Sequence, residues 1–271
     1  MKKLLSLLLA LGIVCSLAGC AGSNDASQSD ASQSSATSGS GSQTDGSQAD
    51  GSQTDVQVMS YDEYMAAAVD EQVTIEAYVQ AKQSWWEDKA TVYAQDEDGA
   101  YFLYNMVCSQ EDYEKLVPGT CIRVTGYKAE WSGEIEIMDG TFGIVEGDTF
   151  VAEPLDVTSL LGTDELINHQ NQLVDFKGLT VVAAGQDDAG NDVPFLYNWD
   201  GSGTQGDDLY FNVSVGDQTY TFTVESYLCD SSTEVYKAVE ALEIGRVIDA
   251  QGFLYWYEGV NPHITSITVV E

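Results

Sequence analysis

The chain has 271 residues, with 44 acidic and 10 basic side chains and a formal net charge of −34. Five acids lie in residues 21–55 and two bases in the first nineteen, so residues 56–271 hold 39 acids against 8 bases, a net of −31. A surface this negative repels phosphate backbones and anionic lipid headgroups, because Lys and Arg carry most of the affinity for both. Composition therefore sets an expectation of no nucleic acid among the partners and favours solubility and cationic partners. The length suits two ordinary domains.

In chain order, Lys2 and Lys3 precede an apolar run from Leu4 to Val14 that is too short to span a membrane. The run ends in Leu17-Ala18-Gly19-Cys20, which resembles the lipobox of bacterial lipoproteins. That resemblance implies a signal peptide over residues 1–19, cleavage before Cys20 and a diacylglycerol on the Cys20 sulfur. It also implies attachment to the cell membrane through this lipid, with the rest of the chain facing outward. Residues 20–55 are almost entirely Ser, Gly, Asp, Gln, Ala and Thr beyond the cysteine, with no aromatic residue. Such a composition cannot bury enough apolar surface to offset the entropy of ordering, so it reads as a flexible tether.

The first domain is expected over residues 56–153. Ser60 and Glu63 match a capping box for a short helix, with Tyr61, Tyr64, Met65 and Ala68 on one face. Val73, Ile75, Ala77 and Val79 alternate with polar residues as in a strand. Trp85 and Trp86 fall in the next loop, and Ala90 to Gln95 reads as the second strand. Asp98-Gly99 suits a hairpin turn into a third strand, Ala100 to Val107. A helix capped by Ser109 ends at Pro118-Gly119. Cys121 to Thr125 is the fourth strand, a loop holds Trp131 and Gly133, and Glu134 to Met138 is the fifth.

The second domain is expected over residues 154–271. It has a bridge from Leu155 to Gly162, a helical stretch from Asp164 to Gln170 and a strand from Leu173 to Ala183. An acidic insertion, residues 185–208, separates that strand from the pair Leu209–Val215 and Tyr220–Leu228. Ser231 with Glu234 suggests another capping box, and Ile264 to Val270 closes the domain. One glycine ladder ties the two halves together: Gly119, Gly126 and Gly133 recur with the same spacing as Gly245, Gly252 and Gly259. The shared tetrapeptide Phe102-Leu103-Tyr104-Asn105 and Phe195-Leu196-Tyr197-Asn198 does not fit this register. Leu103 lies 23 residues before Gly126, whereas Leu196 lies 56 before Gly252.

Five strands with a helix between the third and fourth is the order of the OB-fold. The expected fold class is all-β with short helices, built as two tandem five-stranded OB-fold-like β-barrels. The turn Asp98-Gly99, the run Tyr101-Phe102-Leu103 and the segment Val117 to Gly126 resemble the OB-type domains of extracellular bacterial proteins. The resemblance implies a fold and no activity.

Chemistry is sparse. His169 and His263 lack metal-ligand spacing, and no nucleophile elbow, phosphate loop or dinucleotide fingerprint occurs. The reading is a non-catalytic chain with no cofactor and no metal. A calcium-binding or structural envelope role for the Asp-rich insertion and an uncharacterised hydrolytic activity remain as alternatives. Cys108, Cys121 and Cys229 read as small buried thiols in preference to a disulfide between Cys108 and Cys121. The candidate ligand residues are the aromatics of the loops by which OB barrels bind: Trp85, Trp86 and Trp131 in the first domain, Tyr255, Trp256 and Tyr257 in the second. Aromatic faces without a basic groove point to a protein, peptide or glycan as the ligand.

Overall fold

The computed structural model describes residues 57–270. The lipobox, Cys20 and the tether lie outside the described residues. Helix α1, Tyr61–Ala66, is capped by Ser60, and the Glu63 side chain closes the capping box. It stops after six residues, so only Tyr64 is buried while Met65 and Ala68 stay exposed.

Five strands follow: β1, Gln72–Lys82; β2, Lys89–Gln95; β3, Ala100–Val107; β4, Cys121–Trp131; and β5, Glu134–Ile144. Helix α2, Gln110–Lys115, lies between β3 and β4 with Ser109 as its cap. The strands close as β1-β2-β3-β5-β4, with β4 pairing back to β1 and only β3–β5 parallel. Alternation on β1 puts Val73, Ile75, Ala77 and Val79 into the core beside Leu103, Met106, Ile122 and Val124.

The second half begins with β6, Leu155–Asp156, and β7, Leu173–Val182. Leu166–His169 is a 3-10 turn where a helical stretch is expected. Three short strands occupy the insertion: β8, Gly185–Gln186; β9, Asp192–Val193; and β10, Phe195–Tyr197. Then come β11, Leu209–Val215; β12, Gln218–Val224; helix α3, Glu234–Glu240; β13, Val247–Phe253; and β14, His263–Val269. The cap of α3 is Thr233 and not Ser231, because Thr233 accepts the Tyr236 amide. Pairings run β7-β11-β12-β14-β13 and back to β7, which is the same ring with the same parallel step, β12 to β14. Two OB barrels are therefore present. Phe176, Phe211 and Phe222 fill the centre of the second.

The ladder glycines hold equivalent places. Pairing of β4 with β5 shifts register across Gly126, and pairing of β13 with β14 shifts at Gly252. A Cβ on Gly126 would lie 2.6 Å from Ile137 Cγ2; one on Gly252 would lie 2.7 Å from Ile264 Cα. Each barrel corner thus brings two backbones too close for a side chain. The expected loop holding Trp131 is corrected. Beyond the bulge β4 continues to Trp131, and the turn is only Ser132-Gly133. The decoy tetrapeptide falls on β3 in the first barrel and on β10 and its following turn in the insertion, so it is not the repeat.

Candidate ligand cleft between the barrels

The barrels meet along an aromatic seam. Tyr93 on β2 stacks on Phe253 at the end of β13, with ring centroids 4.2 Å apart and planes 7° apart. Its hydroxyl is 2.9 Å from His263 Nδ1. Phe102 meets Tyr255 edge to face at 5.3 Å, and Tyr255 stacks on His263 at 4.3 Å. Tyr93, Phe102 and Phe253 form a buried cluster of their own, separate from the two barrel cores. Burial holds the His263 imidazole neutral, down to about 3.

Beside this seam the two ladder turns meet. Gly133 packs against Trp256, where a Cβ would come 2.8 Å from Trp256 Cδ1. The Glu258 amide donates to the Ser132 carbonyl at 2.7 Å, and the Trp256 amide donates to Glu134 Oε2 at 2.9 Å. Gln170 spans the same gap, its Nε2 donating to the Gly133 carbonyl and its Oε1 accepting the Ile135 amide. Glu134 is fully buried, and burial pushes its carboxyl up to about 8, partly opposed by Asn171 and the Trp256 amide. Glu136 nearby is raised to about 7 by burial.

On the open side of the seam lies a cleft of about 500 Å³. The first barrel contributes Gln83, Trp86, Glu87 and Lys89 around the β1–β2 loop, then Thr91, Phe102, Tyr104 and Asn105 from β2 and β3. Glu225 and Tyr227 after β12, with Tyr255 and His263, form the opposite wall. This is the strand 2–3 face and first loop of an OB barrel, roofed by its neighbour. Ser84 donates its amide to the Tyr227 carbonyl at 2.7 Å, and Gln83 Nε2 donates to Glu225 Oε2 at 2.8 Å. The Glu225 carboxyl is pushed up to about 8, first by burial and then by the charge of Asp208. Aromatic faces, two side-chain amides and two carboxyls can stack on and hydrogen-bond a ligand. His263 reaches the same wall, with its Nδ1 held by the Tyr93 hydroxyl.

The aromatic candidates part company here. Trp86 is 66% exposed on the cleft wall, and Tyr255 lines it half-buried. Trp85 turns away and donates its indole Nε1 to the Cys108 carbonyl at 2.9 Å. Trp131 is exposed at the end of β4, outside the cleft. Trp256 packs half-buried against the second core and the first barrel's turn. Tyr257 lines a separate groove of about 320 Å³ on the second barrel, with Tyr210, Asn212, Leu196 and Trp199. The cleft residues not marked as ligand candidates from sequence include Gln83, Phe102, Tyr104, Glu225, Tyr227 and His263. Tyr104 and Val107 are the exposed side chains of β3, and of the two only Tyr104 lines the cleft.

The acidic insertion does not gather a calcium site. Asp187 accepts the amides of Ala189 and Asn191, Asp200 that of Ser202 and Asp207 that of Thr204, while Asp208 accepts both the amide and the hydroxyl of Ser226. Among the described residues no three His, Cys, Asp or Glu side chains come together as a metal-ligating group. Cys108, Cys121 and Cys229 are buried free thiols.

No protein-family model matches the chain, and no curated protein matches its sequence. Solved structures similar in fold include a murine DNA-binding protein bound with double-stranded DNA, at 12% identity and a TM-score of 0.34, covering 73% of this chain and 95% of that one. Others are p202 HIN1 in complex with a 12-mer double-stranded DNA (13%, TM-score 0.32, 75% and 94%) and the single-stranded DNA-binding protein of Thermus aquaticus (14%, TM-score 0.25, 74% and 92%). Likeness at this level speaks to fold alone. It nevertheless corrects the ligand expected from composition. Proteins of similar fold are described with DNA, so net charge does not license excluding nucleic acid, and the protein, peptide or glycan reading is withdrawn with that exclusion.

Proposed function

We propose that this chain is a ligand-binding protein that holds a small, flat-faced molecule in the cleft between its two OB barrels. One observation carries the reading: aromatic faces and hydrogen-bonding groups from both barrels converge on one cleft that neither barrel builds alone. Its volume falls in the range of ordinary small-ligand sites, roughly 300–1,000 Å³. Stacking between aromatic faces adds about 0.5–1.5 kcal/mol beyond the area buried. In this reading the chain has no catalytic activity of its own and is held to the outer face of the cell membrane through a lipid on Cys20. Replacing Cys20 by Ala then releases it into the medium.

Tryptophan fluorescence of the full chain tests the cleft, with Trp86 on its wall as reporter. The panel comprises nucleosides, single-stranded oligonucleotides and arylalkyl amines; oligonucleotides belong in it because the structures similar in fold include DNA complexes. The expected result is saturable quenching by at least one class, lost in Tyr255→Ala and weakened in Tyr227→Ala. Quenching by no class, or quenching that both substitutions leave unchanged, overturns the proposal.

A further inference from the structure

The cleft is polarised, and this inference rests on the reading just given. Trp86, Tyr104, Tyr227 and Tyr255 present aromatic surface around the carboxyl of Glu225, with Glu87 at the rim of the same cleft. Glu225 Oε2 is occupied by Gln83 Nε2, whereas Oε1 accepts no hydrogen bond from any described residue. Neither Glu225 nor Lys89, the one base on the cleft wall, enters any ion pair among the described residues. An anion entering here would meet two carboxyls, Glu225 and Glu87, against the one base Lys89. A cation would meet ring faces, which carry negative quadrupole charge, and one carboxylate oxygen without a partner. The field of residues 56–271, at net −31, enriches cations around the mouth.

We infer that the cleft selects a small organic cation, with an ammonium group against Glu225 Oε1 and an apolar skeleton between the aromatic walls. Binding is then coupled to a proton. Because the empty carboxyl titrates at about 8, a cation bound near neutral pH takes the place of the proton on Glu225. The groups facing Glu225 do not supply this coupling. Burial, as the leading cause, holds Tyr210 at about 12, Cys229 at about 11 and His263 at about 3, with Tyr93 and Tyr255 raised further. None of these changes charge between about pH 6 and about pH 8. Asp208, Glu87, Lys89 and Tyr227 complete the titratable surroundings.

Calorimetric titration of the full chain with phenethylamine and with phenethyl alcohol, its neutral counterpart, tests the inference. The amine is expected to bind more tightly than the alcohol, gaining about tenfold in affinity per pH unit up to about pH 8 and levelling above it. Glu225→Gln is expected to weaken the amine at least about tenfold and to flatten its pH profile, while leaving the alcohol unchanged, which also reports an intact cleft. Tyr227→Ala, at a side chain 60% exposed, weakens the amine as well. Equal binding of amine and alcohol, or amine binding indifferent to pH and to Glu225→Gln, overturns the cation and leaves the cleft reading standing. Binding of neither compound, together with no quenching by any of the panel above, overturns both.

Discussion

The two barrels share a ring order, a parallel step, a ladder of glycines and a bulge at the same corner, yet their strand 2–3 faces end differently. In the first barrel that face is covered by the second barrel, through Tyr93 and Phe102 against Phe253 and Tyr255. In the second barrel the matching face, with Tyr210 and Asn212, is bordered by the chain's own insertion through Leu196 and Trp199. The ladder turns, which in an OB barrel commonly meet the ligand, here meet each other. A repeated fold therefore does not repeat its site; what covers each face decides what it can bind.

Removing the seam should break the comparison most severely. Phe253→Ala, taking away a buried ring that stacks on Tyr93, is expected to cost about 3–5 kcal/mol. Denaturant unfolding should separate into two transitions, one per barrel; a single transition with unchanged midpoint would argue against a stabilising seam. Gly252→Ala comes next, at about 1–3 kcal/mol, since its Cβ would press on the His263 carbonyl group and Ile264 Cα. Because His263 also lines the cleft, this variant should perturb ligand binding while a surface substitution of equal cost does not.

Glu134→Gln sharpens the comparison through pH. The Glu134 carboxyl holds its proton to about 8 when folded, against 4.5 ordinarily. Between those values the folded chain binds more protons than the unfolded one, so stability falls as pH rises. The share of one such group is roughly 1.4 kcal/mol per unit at most. Gln can donate where the protonated acid would, so the variant should show a flatter stability curve from about pH 5 to about pH 8 by thermal melts. A curve as steep as the parent's would place the pH dependence elsewhere, in Glu136 or Glu225. Smallest of all, Trp199→Ala removes a side chain 76% exposed and should change stability by less than about 0.5 kcal/mol.

Local pattern carried the architecture. Alternation from Val73 to Val79, the caps at Ser60 and Ser109 and the ladder register each report on residues close in sequence, and the barrels follow them. Boundaries slipped where a rule competed with its context. Gly126 looked like the end of a strand and is a bulge within one, because the corner needs close backbones and pairing resumes past it. Ser231 looked like a cap, but Thr233 sits at the position whose side chain reaches the Tyr236 amide. The cleft was legible only in half. Trp86 and Tyr255 stood out as loop aromatics, while Glu225 and Tyr227 gain their meaning from packing between the barrels, which no short-range pattern encodes. Composition misled most: a net charge sets the field around the molecule, and a field alone does not exclude a class of macromolecular partner.

The seam also sets an order of events. Its contacts join residues far apart along the chain, with 122 positions between Glu134 and Trp256 and 170 between Tyr93 and His263. Contacts of such separation form late, because the intervening loops must close first. During synthesis the first barrel is complete before the residues that roof it exist, and it waits with the rings of Tyr93 and Phe102 uncovered. The cleft exists only once both barrels are in place, and a ligand that needs both walls recognises only chains that have finished folding.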